Sequence, residues 1–206
     1  AVAPHGMINK RIREEILDKV IYPAVEGMMA EGHPFKGVLY AGLMMTEKGI
    51  KVLEFNCRFG DPELEAMVPL LRSDLLELLY LTTEQRLDEA EIFWSNEKTA
   101  TVIMASEGYP KRYKKGGIIR GLEKITEEDI IVFHCGTDSK DNQVITDGGR
   151  VLAVTGVGQS YESAVERAYS AVDKISFERA IYRNDIGESF LESLGNLTEE
   201  HSRFKL

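Results

Sequence analysis

The chain has 206 residues, 43% hydrophobic and 29% charged, with a formal charge of −9 at pH 7, a balance that folds as one domain or two small ones, each with a core. That charge and a pI near 5.1 argue against general nucleic-acid affinity, and no apolar run reaches the roughly 18 residues of a membrane span. No secretory leader is visible, and Cys57 and Cys135 are too few for a disulfide framework, so a reducing cytoplasm is the expected home.

In chain order, Ile8, Ile12, Ile16, Val20, Ala24 and Met28 recur every four residues and predict a long amphipathic helix, with Pro23 kinking or dividing it. A loop at Gly32-His33-Pro34 leads to a strand near Val38 to Thr46, a turn around Lys48-Gly49, and a second strand through Ile50-Lys51-Val52-Leu53. The apolar, β-branched character of that strand reads as buried and continuing into Glu54. Leu64 to Leu81 carries a broad apolar face broken by Pro69, a helix or a pair of helices.

Residues 82 to 98 are acidic and weakly periodic, which marks a boundary. Beyond them, Thr99 to Ala105, Ile130 to Cys135, Gln143 to Thr146 and Val151 to Val157 are strand-like runs separated by Gly, Asp and Asn, and Gly148-Gly149 reads as a hairpin turn. Ser160 can cap a helix whose Ala164, Val165, Ala168, Val172 and Ile175 form one stripe. The predicted class is α+β: an antiparallel sheet with helices over residues 1–95, a small β-rich domain with a packed helix over 96–187, and a frayed or disordered tail over 188–206.

The most informative run is Glu54-Phe55-Asn56-Cys57-Arg58-Phe59-Gly60-Asp61-Pro62-Glu63. Strand alternation puts Glu54, Asn56 and Arg58 on one side and Leu53, Phe55 and Cys57 on the other. A carboxylate and a neutral carbonyl oxygen are hard ligands suited to magnesium, which keeps several waters and takes substrate phosphates as further ligands. Arg58 offers a fork of donors for phosphate or carboxylate. Gly60-Asp61-Pro62 has turn chemistry, and Pro62 fits the first turn of a helix with Glu63 near its positive end. An equal alternative is an ordinary Glu54–Arg58 ion pair at a strand end, with Asn56 capping a turn.

Other features carry less. Lys111-Arg112-Tyr113-Lys114-Lys115 mixes basic and aromatic residues but reads as a solvated loop on an acidic chain. His134-Cys135 has no second ligand pair at zinc spacing. Gly156-Val157-Gly158 lacks the third glycine of a dinucleotide loop. His5, His33 and His201 read as surface or turn residues.

Tyr40-Ala41-Gly42-Leu43-Met44, the Thr46-Glu47-Lys48-Gly49 turn and the motif through Glu63 closely resemble the phosphoribosylamine–glycine ligases, or glycinamide ribonucleotide synthetases, of the ATP-grasp superfamily. Met104-Ala105-Ser106-Glu107-Gly108-Tyr109-Pro110, Phe133-His134-Cys135-Gly136-Thr137, Asp147-Gly148-Gly149-Arg150-Val151-Leu152-Ala153-Val154-Thr155 and Tyr182-Arg183-Asn184-Asp185-Ile186-Gly187 agree in order. The resemblance spans nearly all of residues 1 to 187. It implies a C-terminal part of such a ligase, the opening Ala1-Val2-Ala3-Pro4-His5-Gly6 being similar to the segment after the family's glycine-rich loop.

What the resemblance implies is ATP-dependent ligation of glycine to 5-phosphoribosylamine through a glycyl phosphate, in purine biosynthesis. Glu54 and Asn56 then match the ligands of Mg2+ or Mn2+, Arg58 the catalytic arginine, and Asp61 and Glu63 weaker substrate contacts. Glu65 stands where the family pattern has Gln. Without the N-terminal domain and the ATP lid the chain alone is expected to be inactive, its partners being ATP, glycine, 5-phosphoribosylamine and the N-terminal part of the same enzyme. The rival readings are another ATP-grasp carboxylate–amine ligase or carboxylase, and a non-catalytic interaction fragment.

Overall fold

A computed structural model describes residues 1–188 and Leu191, so the predicted tail lies outside the described residues apart from Glu188 and Leu191. The chain forms two compact units interleaved in sequence: residues 1–4, 62–70 and Asn96 onward make one, and His5–Asp61 with Leu71–Ser95 the other.

The first unit is built on an antiparallel sheet. Its spine pairs β4 (Lys98–Ser106) with β8 (Arg150–Gly158); β5 (Ile130–His134) flanks β8, while β1 (Val2–Ala3) and β9 (Ala180–Ile181) share the outer edge of β4. Alternation sends Val102, Met104, Leu152 and Val154 into a core with Ala168, Ala171 and Val172 of α5 (Tyr161–Val172). As the sequence predicts, Ser160 caps α5, its hydroxyl accepting from the Ser163 N–H in a reciprocal capping box. Gly156 and Gly158 let the helix approach: a Cβ on Gly156 would lie 2.3 Å from the Ala164 carbonyl oxygen and 2.6 Å from the Ala168 nitrogen. On the opposite face, the Thr99 hydroxyl donates to Ala66 O (2.6 Å) and that of Thr155 to Glu65 O (3.1 Å), fixing α3 (Glu63–Met67). Beyond α5, Lys174 donates to Glu127, and this hydrogen bond holds the Glu127 carboxyl down at a pKa of about 2.

Gly148-Gly149 does not turn a hairpin into β8. The strand before it, β7 (Gln143–Thr146), pairs with β6 (Thr137–Lys140) in a separate ribbon. Its two-residue turn is Asp141-Asn142, both at positive φ, the type I′ geometry that matches strand twist. The glycines instead pack tightly: a Cβ on Gly149 would meet the Tyr109 ring at 2.1 Å, and one on Gly148 would meet Gly136 Cα at 2.8 Å.

In the second unit the predicted long helix is realised as α1 (Lys10–Ile16), a π-helical turn over Leu17–Ile21, and α2 (Tyr22–Ala30). Pro23 cannot donate a backbone N–H and its ring crowds the carbonyl four residues earlier. The helix responds by widening rather than breaking, and the Tyr22 N–H reaches back to Leu17 O. Strands β2 (Tyr40–Thr46) and β3 (Gly49–Asn56) form a two-stranded hairpin closed by Glu47 and Lys48, the Thr46-Glu47-Lys48-Gly49 turn of the sequence. Pro69 separates α3 from α4 (Leu75–Glu84), which Asp74 caps through its carboxylate.

The motif strand is not buried as the sequence suggests: Leu53 is 64% exposed and Phe55 45%. A two-stranded ribbon has no flanking strands to support a covered face. Among the described apolar residues of this unit, only Val20 is buried, at 7% exposure.

Candidate functional site

The motif residues lie where β3 ends. Glu54 stands opposite Gly42 and Asn56 opposite Tyr40, the last pair of the hairpin. The Asn56 side-chain amide donates to Glu54 Oε1 over 2.9 Å, which leaves Glu54 Oε2 and Asn56 Oδ1 as acceptors. Strand alternation thus brings Glu54 and Asn56 together as the sequence predicts. Their two kinds of oxygen suit a magnesium ion that draws its other ligands from water and phosphate. Among the described residues no cluster of three or more His, Cys, Asp or Glu side chains could hold a metal without such added ligands.

Arg58 departs from the strand extrapolation. Pairing stops at Asn56, Arg58 sits in a bend, and its Nη1 donates to the Phe59 carbonyl at 2.7 Å. No ion pair joins it to Glu54 among the described residues, so the strand-end ion pair of the alternative reading does not form. Asp61 is exposed in the turn that follows, and Pro62 caps α3 with Glu63 as its first residue, the predicted strand–turn–helix layout.

Glu63 belongs to the first unit, where it lines a cavity of about 610 Å3 with Thr101, Ile103, Tyr109, Arg150 and Arg183. Sequence reasoning gave the two arginines no role. Arg150 escapes the alternation of β8: Leu152 pairs with Met104 but Arg150 pairs with Ala105, so Val151 is an extra, bulged residue. The bulge moves Arg150 onto the face that carries Thr101, Ile103 and Ala105, away from α5. Its guanidinium carbon lies 5.8 Å from the Tyr109 ring centroid, within cation–π range. Arg183 forks onto Asp185 with two bonds of 2.8 and 2.7 Å, and these hold the Asp185 carboxyl below its usual pKa. The detectable signal was Gly-Gly-Arg at a strand start, which indicates an irregular edge but not its facing.

Lys111 to Lys115 form an exposed loop, part of which lines a separate cavity of about 420 Å3 in the same unit. Some of its charge is paired internally: Lys115 with Asp147 and Arg179 with Glu107, each at 3.1 Å.

Residues 1–64 match the family model described as phosphoribosylglycinamide synthetase, ATP-grasp (A) domain, and residues 99–189 the one described as phosphoribosylglycinamide synthetase, C domain. The phosphoribosylamine–glycine ligase of Caldanaerobacter subterraneus is 47% identical over 190 residues, 92% of this chain and 45% of that protein. The human trifunctional purine biosynthetic protein adenosine-3 is 44% identical over 98% of this chain and 20% of its own length. The crystal structure of the Thermotoga maritima phosphoribosylamine–glycine ligase superposes with a TM-score of 0.69 at 33% identity, covering 85% of this chain and 42% of that one. The chain therefore spans less than half the length of these ligases. N5-carboxyaminoimidazole ribonucleotide synthetase from the same organism shares the fold, with a TM-score of 0.55 at 16% identity.

Proposed function

The chain belongs to the phosphoribosylglycinamide synthetase family, and on that premise we propose that its native polypeptide ligates glycine to 5-phosphoribosylamine at the expense of ATP. The γ-phosphoryl group passes to a carboxylate oxygen of glycine, ADP leaves, and the amine nitrogen then attacks the acyl carbon and expels phosphate. A carboxylate oxygen is a poor leaving group and a phosphate a good one, which is what the ATP supplies. The observation that carries this reading is the pairing of Glu54 with Asn56 at the open end of β3, in a chain whose residues 1–64 and 99–189 match the A-domain and C-domain models of phosphoribosylglycinamide synthetase.

Within it, Glu54 and Asn56 hold Mg2+ or Mn2+, and the ion, when bound, neutralises charge on the triphosphate as the phosphoryl group moves. Arg58 releases the Phe59 carbonyl and turns to the transferring phosphoryl or the acyl phosphate, where a planar two-point donor fits best. Asp61 and Glu63 serve as substrate contacts or shape the turn. In the cavity of the first unit, Arg150 and Arg183 offer donors that match the phosphate of phosphoribosylamine, with Tyr109 as an apolar wall. The division into an ATP-grasp part over residues 1–95 and a ligase-specific part over 96–187 belongs to the same reading, as does placement in the cytoplasm, which the two exposed cysteines, neither in a disulfide among the described residues, suit.

The test is ADP release by the native polypeptide with each substrate omitted in turn. Release that requires both glycine and phosphoribosylamine is expected; release without glycine dependence, or driven by a different acid, overturns the assignment.

A further inference from the structure

Gly42 lies inside β2, where glycine weakens a strand relative to alanine. Its backbone does not call for it. Gly49, at the start of β3, has φ +90° and nothing within 4 Å of where a Cβ would stand, so conformation alone explains that residue, whereas Gly42 has no positive φ. What distinguishes Gly42 is its neighbour across the ribbon. A Cβ there would lie 3.1 Å from Glu54 Cγ, 3.7 Å from Glu54 O and 3.8 Å from Glu54 N. The pairing also slips at this point: Leu43 faces Val52 while Gly42 faces Glu54, which leaves Leu53 as an extra residue immediately before the motif. Bulges of this kind re-aim the side chains that follow them. The Glu54 side chain thus lies over bare backbone, with its carboxylate 2.9 Å from the Asn56 amide.

We propose that Gly42 is a positioning residue for the metal-binding edge: its missing side chain, together with the Leu53 bulge, lets Glu54 lie along the ribbon beside Asn56. This rests on the reading of Glu54 and Asn56 as metal ligands. A methyl group at position 42 forces Glu54 to shift by a few tenths of an ångström or to change rotamer, and either would alter the placing of its carboxylate beside Asn56.

The experiment compares Gly42→Ala and Glu54→Gln with the wild type in the native polypeptide. Mn2+ affinity is measured by electron paramagnetic resonance, the half-saturating Mg2+ concentration by turnover, and stability by the thermal midpoint. Gly42→Ala is expected to weaken both metal readouts by about three- to tenfold, a fraction of what a 1 Å misplacement costs, with a midpoint equal to or above that of the wild type. A purely structural glycine moves the other way, lowering the midpoint and leaving metal affinity intact. If Glu54→Gln weakens the metal but Gly42→Ala does not, or if Gly42→Ala lowers the midpoint along with the affinity, the positioning role is refuted while the site stands. If Glu54→Gln leaves Mn2+ and Mg2+ behaviour unchanged, the site reading and this inference fail together.

Discussion

At the scale of single residues, what matters at the motif is which oxygen carries charge. Glu54→Gln preserves shape and polarity but removes the negative charge that, on the proposed reading, would draw a divalent ion out of water. In the native polypeptide, turnover at limiting Mg2+ should fall by about tenfold or more, the equivalent of roughly 1.4 kcal/mol, and excess Mg2+ should recover part of it. The melting midpoint should not move, because Glu54 is exposed and its hydrogen bond is to the neighbouring Asn56 side chain; unchanged Mg2+ dependence would remove Glu54 from the site. Two-residue periodicity made the Glu54–Asn56 pairing legible. It could not extend to Arg58, because the ladder that enforces alternation ends at Asn56, and it gives no correct facing for Arg150, because the bulge at Val151 reverses facing without any change of composition.

Among the elements, those that pattern revealed are the ones whose packing repeats. β4 and β8 are long and largely apolar, and the sequence placed their ends to within a residue; α5 is amphipathic and capped by Ser160 as predicted but ends at Val172, so Ile175 of the predicted stripe lies beyond it and still packs in the core. β1 and β9 have two residues each, too short for any period, and exist because the edge of β4 offers them unpaired backbone groups. β6 was hidden for another reason: Thr137-Asp138-Ser139-Lys140 is polar on both faces, so only the Asp141-Asn142 turn betrays it. Gly156 and Gly158 of β8, which the sequence shows only to lack the third glycine of a dinucleotide loop, are contact surfaces for α5. Gly156→Ala drives a methyl group into the α5 backbone, which cannot yield as a flexible side chain does. It should cost about 1–3 kcal/mol, the usual penalty of overpacking, seen as a lower urea midpoint for the 206-residue chain. A midpoint equal to that of the wild type would show that α5 does not pack on β8 through position 156.

Across the whole molecule, buried apolar surface is distributed unevenly between the two units. The first holds a continuous core in which Val102, Leu152, Val154, Ala168 and Ala171 are wholly buried, tied across the opposite face by buried Thr101 and Thr155, whose hydroxyls are 2.7 Å apart. The second leaves Leu53, Phe55, Leu76 and Tyr80 exposed, and its hairpin has only two strands, an arrangement marginal in water by itself. Local opening free energies follow buried contact and range from near zero up to that of global unfolding. In native-state hydrogen exchange of the 206-residue chain, amides of β4 and β8 should therefore exchange only through global unfolding, while the paired amides of β2 and β3 exchange roughly a hundredfold faster or more, through local opening. Denaturant should slow neither set, but it should accelerate β4 and β8 steeply and the hairpin scarcely at all, because only global opening exposes a large new surface. Equal protection and equal denaturant slopes in β3 and β8 would show the chain to be one cooperative unit. The expected gradient leaves the proposed metal-binding edge, Glu54 and Asn56 at the end of β3, on the softer part of the fold, where low local stability would let a ribbon adjust to a bound ligand.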